Sequence, residues 1–203
     1  IHQSLSIQIE ASDQKQETFR QQFTILVTDD PTDTIRTLHV KQSAQPGGDG
    51  TESNPYQKIQ DAIDVANQLD VVLVHPGQYP ERIDFRGKTL TLGSLFLTTG
   101  KRSYIEETSI KGAIWHIVST DARLSGFTLT NENASSQVPT IHCNGDAYLD
   151  NLIIKNNQTT AIDHYEGHMR IENCEIRNNT KGLVTSQDSI ITMTNSLVVG
   201  NSE

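Results

Sequence analysis

The chain has 203 residues, 34% of them hydrophobic and only 5% aromatic, with a formal net charge of −9. That is enough apolar material for a sizeable core, while the acidic balance and the lack of any Lys/Arg run exclude the concentrated basic face that nucleic acid requires. No apolar stretch approaches the 18 or so residues of a membrane-spanning helix.

Residues 1–30 hold two alternating runs, SLSIQIEASD and TFRQQFTILVTDD, around a polar turn at Asp13, Gln14 and Lys15, and predict a β-hairpin. Leu5, Ile7 and Ile9 share one face, and Phe23, Ile25 and Val27 share another. A lone hairpin is marginal in water, so it is expected to close a larger sandwich or to pack on the segment C-terminal to it. The string FTILVTDD resembles the closing strand of cadherin-like or related immunoglobulin-type repeats of bacterial surface proteins. Within that resemblance Asp29, Asp30 and Asp33 read as the remnant of a Ca²⁺ site; from the residues alone, DDPTDT (29–34) reads as solvated and acidic, and a linker is expected over 31–37.

A second unit is expected over 38–203. A strand at Leu38 and Val40 runs through a Gly/Pro loop into a helix over about 55–68. Asn54 stands as its N-cap, Pro55 fits the first turn, Gln57 completes a capping box, and Tyr56, Ile59, Ile63 and Ala66 form the apolar stripe. VVLV (71–74) then reads as a buried strand, Pro76-Gly77 as a turn, and Ile83, Phe85, Leu90 and Leu92 continue the alternation.

Four later stretches align without a gap: RLSGFTLTNE (123–132), YLDNLIIKNN (148–157), RIENCEIRNN (170–179) and TMTNSLVVGN (192–201), their starts 25, 22 and 22 residues apart. Leu124, Leu149, Ile171 and Met193 form one apolar column, and Leu129, Ile154, Ile176 and Val198 another. The fourth position reads Gly126, Asn151, Asn173, Asn195; the ninth reads Asn131, Asn156, Asn178, Gly200. A period in the low twenties marks a solenoid whose units bury their apolar faces only by stacking. Alternation broken by a bend, as between Ile171 and Cys174, describes coils of a parallel β-helix. Asn at the bend tolerates left-handed backbone and offers amides for coil-to-coil ladders. The fold class is therefore all-β: a right-handed single-stranded parallel β-helix of about six coils, with an N-terminal capping α-helix over its open end. The last coil stops at Glu203 before it closes, and an open edge there invites edge-to-edge self-association. Cys174 shares an inward column with Phe127, Leu152 and Ser196, so a buried free thiol is expected.

Asp49-Gly50-Thr51, Asn54-Pro55-Tyr56, Ile59 to Ile63, Val72 to Val74, Pro76 to Tyr79 with Glu81, and Gly87 to Leu92 resemble the N-terminal cap and first coil of the pectate-lyase-like parallel β-helix superfamily. That resemblance implies a secreted or cell-surface bacterial protein, polysaccharide-binding or polysaccharide-degrading, of which this chain is an N-terminal fragment. In the lyases of the fold it implies β-elimination at a uronic acid, a Lys or Arg base, and Ca²⁺ or Arg on the carboxylate. No catalytic residue of the family maps onto this chain. The other reading is a non-catalytic adhesin or rigid stalk.

Three outward groupings are left unexplained by the scaffold. Lys155 and Arg177 share a column in adjacent coils; Tyr148 lies between Arg123 and Arg170; and aligning TIHCNGD with AIDHYEG sets His142 over Asp163 outward and Cys143 over His164 inward, with His116 as an extension. These residues read either as contacts to an acidic polysaccharide or other surface glycan, or as side chains splayed into water. His142, Asp163, Glu166 and His168 are candidates for acid/base chemistry, but no tight ligand spacing supports a metal among them. Insertions over 93–109, bringing out Lys101, Arg102 and Tyr104, and over 132–139 are expected to wall a groove.

Overall fold

The computed structural model describes residues 2–12, 18–28, 34–117, 122–131 and 138–202, with backbone alone for the first two stretches and for residues 116 and 187. Two compact units separate between Thr34 and Ile35. The first is an antiparallel pair of strands, His2–Ser12 and Thr18–Thr28, whose register sets Leu5 opposite Ile25 and Ile7 opposite Phe23. Its turn, and Asp29, Asp30 and Asp33, lie outside the described residues.

The second unit is a right-handed parallel β-helix with three faces and five full turns, followed by part of a sixth. The first face stacks Thr37–Val40, Val71–Val74, Thr91–Ser94, Ala122–Ser125 and Ala147–Asp150. The second stacks Gly77–Tyr79, Thr108–Lys111, Thr128–Thr130, Ile153–Lys155, Glu175–Arg177 and Leu197–Val199. The third stacks Ile83–Asp84, Ile114–Ile117 and Ile141–Cys143. Two long strands, Thr160–Glu172 and Lys181–Thr194, turn the corner from the third face to the first and join both into one ten-stranded sheet.

The repeat columns become the interior. Leu124, Leu149 and Ile171 are in register and buried, as are Leu129, Ile154 and Ile176. Phe127, Leu152 and Cys174 follow the bend into the same core. The bend is left-handed at each copy: φ is +79° at Gly126, +55° at Asn151, +54° at Asn173 and +48° at Asn195. Glycine takes the first of these places for a second reason. A Cβ on Gly126 would lie 2.7 Å from Ser94 Oγ and 2.9 Å from Phe96 Cβ, because a short helix crosses above it. Both cysteines are free and buried, and burial pushes each thiol up to about 12.

At the second corner the asparagines divide their labour. Asn156 and Asn178 adopt positive φ, and the next residues, Asn157 and Asn179, turn inward and bond along the axis together with Asn201. Asn131 N–H also donates to Asn157 Oδ1, so that coil reaches its corner one residue earlier than the gapless alignment places it.

The capping helix is shorter than the sequence predicts. It spans Ile59–Val65 (α1), not 55–68, and Asn54 does not cap it. The physical reason lies in the preceding strand. Tyr56 bridges Val40, with its N–H on His39 O and its carbonyl accepting from Lys41 N–H, so residues 54–56 serve the sheet edge in extended form. The cap comes instead from the coil beneath: Glu81 accepts the N–H groups of Ile59 (2.9 Å) and Gln60 (3.1 Å). At the other end Lys88 Nζ donates to the carbonyls of Ile63, Asp64 and Ala66. An anion at the N-terminus and a cation at the C-terminus also oppose the helix dipole. Ile59, Ala62 and Ile63 close the lumen from above. Glu81→Ala is expected to cost about 1 kcal/mol, read from thermal unfolding, with Glu81→Gln recovering part of it; no loss in either variant would deny Glu81 the capping role.

The 93–109 excursion is no open loop. It folds as α2 (Phe96–Thr99) and α3 (Ser103–Glu107), with Lys101 and Arg102 exposed and Ile105 buried. Thr128 Oγ1 donates to Ile105 O and ties α3 to the second face. The other insertion falls largely outside the described residues.

Candidate functional site

The candidate residues come together in small groups, each on a different face. On the second face Lys155 stacks on Arg177 in register. Arg177 pairs with Glu175 of its own strand, while Lys155 takes part in none of the ion pairs among the described residues.

On the third face His142 lies over Asp163, with Nδ1 and Oδ2 3.0 Å apart and both side chains about a fifth to a quarter exposed. Cys143 lies over His164, both fully buried. The column continues through Trp115, and the His116 side chain lies outside the described residues. A bulge sets Ile114 and Ile117 against Ile141 and Cys143, and the Trp115 ring lies 4.9 Å from that of His142, with the Arg82 guanidinium carbon 4.5 Å from the Trp115 centroid. His168 and Glu166 are not gathered with this pair: His168 stands on the first face, its Nε2 2.8 Å from Thr192 Oγ1.

The first face carries the fullest arrangement. Arg123, Tyr148 and Arg170 are successive members of one outward column, about 4.8 Å apart along the axis. Each guanidinium carbon sits 5.1 Å from the Tyr148 ring centroid, one from the coil before and one from the coil after, so both ring faces are covered. The sugar-stacking role open to Tyr148 in the sequence is thereby closed to its faces. Two residues along, the next outward column supplies the counter-ions. Arg123 donates to both oxygens of Asp150 at 2.8 and 3.1 Å, and Arg170 donates to Glu172 at 2.6 Å. Tyr148 O–H donates to the second Glu172 oxygen, also at 2.6 Å. Asp150, 1% exposed, further accepts from Ser125 Oγ and Asn151 Nδ2.

These bonds set the ionisation of the group. The hydrogen bond to Glu172 raises the Tyr148 phenol to about 12, and the same bond, with Arg170, holds the Glu172 carboxyl below its usual range. Asp150 and Glu172 push Arg123 and Arg170, respectively, further up. A groove of about 240 Å³ runs beside the stack, closed at the corner by Asp146 and His168, whose backbone N–H donates to Asp146 Oδ1 at 2.7 Å. Asp150, Glu172 and Asp146 escaped the sequence reading as site residues. The signals were Arg123-x-Ser125, Tyr148-x-Asp150 and Arg170-x-Glu172, a two-residue spacing that puts both members on one side of a strand.

Ca²⁺ takes about six to eight oxygen ligands. The carboxylates of this face are already bonded to guanidinium, hydroxyl or amide donors, so they do not fit such a cage. Among the described residues no group of three or more His, Cys, Asp or Glu side chains is placed to hold a metal.

No protein-family model matches the chain, and no curated protein matches it in sequence. Solved structures do resemble it. The pectate lyase Pel9A aligns with a TM-score of 0.60 at 12% identity, over 80% of this chain and 47% of its own. The fold is the pectate-lyase-like parallel β-helix. A rhamnogalacturonan lyase agrees, with a TM-score of 0.55 at 14% identity over 75% of this chain and 44% of its own. This β-helix thus spans just under half the length of either structure, and identities this low speak for fold alone.

Proposed function

We propose that this chain is part of a secreted or cell-surface bacterial protein that binds or degrades polysaccharide, and that the first face holds a glycan beside the Arg123–Tyr148–Arg170 stack. The observation that carries the reading is the groove itself. Its walls set Arg123, Tyr148 and Arg170 on registered strands, with Asp146 and His168 at the corner, so little ordering is left to be done on binding. The polysaccharide lyases that share the fold support the ligand class.

The stack's own chemistry favours binding over turnover. Elimination needs a group that accepts a proton near neutral pH. Arg123 and Arg170 are held charged by their carboxylates and the Tyr148 phenol keeps its proton up to about 12, so none of the three serves as base. Arg170, 56% exposed, is the safest probe. Arg170→Ala is expected to weaken binding of a recognised oligosaccharide about tenfold, the worth of one lost charge-assisted contact, with unfolding unchanged within about 0.5 kcal/mol. Isothermal titration across a panel of pectic and non-pectic oligosaccharides checks it. If affinity is unmoved, the stalk reading gains, which the continuous asparagine ladder also supports.

A further inference from the structure

We propose that the first-face groove selects uncharged, hydroxyl-rich saccharides over polyuronates; the inference rests on that groove being the glycan site.

The argument begins with the partners of the guanidinium groups. A uronate carboxylate entering the groove meets arginines that the fold already pairs with a carboxylate each, so it must displace that partner or settle for the N–H groups left over. Asp150 meets Arg123 through two bonds, is buried, and has two further donors that keep it in place. Glu172 bridges Arg170 and the Tyr148 hydroxyl. Both competitors are tethered at high effective concentration, whereas the ligand arrives from dilute solution.

Charge points the same way. Arg123, Arg170 and Asp146 line the groove, and Asp150 and Glu172 pair with the two arginines from beside it, so these five side chains carry one net negative formal charge. The chain as a whole stands at −9, so no long-range attraction draws a polyanion in. What the paired side chains still offer is unused N–H groups on Arg123 and Arg170 near the remaining acceptor positions of Glu172 and Asp146, Asp150 being buried. A hydroxyl donates and accepts at once and meets both; a carboxylate only accepts, and meets the lone pairs with repulsion. Lys155, an outward cation in no ion pair among the described residues, stands on another face and does not relieve this.

The test titrates the full chain with neutral galacto- and gluco-oligosaccharides and with oligogalacturonates of matched length, at low and moderate salt. Neutral chains are expected to bind at least about tenfold more tightly. Asp146→Asn removes the uncompensated charge and keeps the acceptor for His168 N–H; it is expected to raise oligogalacturonate affinity roughly threefold to tenfold at low salt, with a smaller change for neutral chains. Oligogalacturonates binding as tightly as neutral chains, and losing that binding in Arg170→Ala, overturn the selectivity while leaving the groove as a glycan site. Failure of every oligosaccharide to bind removes the groove reading, and this inference with it.

Discussion

Asp70→Ala is expected to lower global stability by about 2–4 kcal/mol, the cost of taking a buried carboxylate from the donors that it satisfies. The carboxylate is 1% exposed and receives four N–H groups: the Arg36 backbone (2.8 Å), Arg36 Nε (3.0 Å), Arg36 Nη2 (2.6 Å) and the Asn67 backbone (2.7 Å). Arg36 also reaches Val65 O at the end of α1. One side chain thus locks the entry to the first strand, the exit from the capping helix and the start of Val71–Val74. Alanine strands two backbone donors and a guanidinium at once. Asp70→Asn restores the shape but turns an amide N–H₂ toward cations, and is expected to recover less than half of the loss.

The same carboxylate predicts a pH dependence. Burial alone would raise its pKa from the ordinary 3.8, but the Arg36 and Asn67 bonds together outweigh it and leave the folded value lower. A depressed folded pKa contributes stability that is fully present above the unfolded value, and that is lost as pH falls below about 4 toward the folded value. Urea midpoints for wild type and Asp70→Ala should therefore converge on acidification. Arg86→Ala is the contrast. Arg86, 54% exposed, pairs with Asp64 and Asp84 at the surface and should cost under about 1 kcal/mol. A loss for Asp70→Ala no larger than that for Arg86→Ala would refute the lock.

The interior was legible because two independent signals coincide once per turn. Apolar residues at Leu149, Leu152 and Ile154 fix the alternation, and Asn151, the residue in left-handed backbone, marks where it breaks. Columns also give neighbours along the axis, which is why His142 over Asp163, Lys155 over Arg177 and Tyr148 between two arginines all appear in register. They do not give azimuth. The corners have variable length and conformation, so the sequence could not tell that these groups look out of three faces.

Other failures have the same root, a long-range partner overriding a local rule. Asn54-Pro55 has every local mark of a helix start, yet Tyr56 is recruited to the edge of Thr37–Val40 and Glu81, more than twenty residues on, supplies the cap. Trp115 comes to lie against His142 where a bulge shifts the strand against its neighbour, which no pattern within residues 114–117 announces. The ion pairs that neutralise the first-face arginines were readable at two-residue spacing, and they alter the expected ligand more than any single residue does.

The second large effect is expected at Asn179, where side-chain amides hold successive coils together. Its Oδ1 accepts from Asn157 N–H (3.1 Å) and Asn157 Nδ2 (2.7 Å), while its Nδ2 donates to Ile154 O (3.1 Å) and Asn201 Oδ1 (3.0 Å). The residue is 2% exposed, so water cannot replace these partners. Asn179→Ala takes the acceptor from the Asn157 N–H and Nδ2 and the second donor from the Ile154 carbonyl, which the strand ladder still holds, and at about 1–3 kcal/mol for each buried donor the loss should reach roughly 3–4 kcal/mol. Asn201 bonds Asn179 and Ile176 in the same way but is not fully buried, so water replaces part of what is lost and Asn201→Ala should cost about half as much. Asn179→Asp separates hydrogen bonding from volume. It fits the same space but sets a carboxylate oxygen against the Ile154 carbonyl and Asn201 Oδ1, so burial and repulsion raise its folded pKa. A raised folded pKa gives stability that is present below the unfolded value, near 4, and is lost as pH rises through the folded one. The Asp variant should therefore lie close to wild type at about pH 4 and approach the Ala variant near pH 7–8, a crossover that lost volume alone cannot produce. Chemical unfolding of the three variants at both pH values decides it: an Asp variant with no pH-dependent recovery, or equal losses at positions 179 and 201, would mean that the amides stack without carrying the coils.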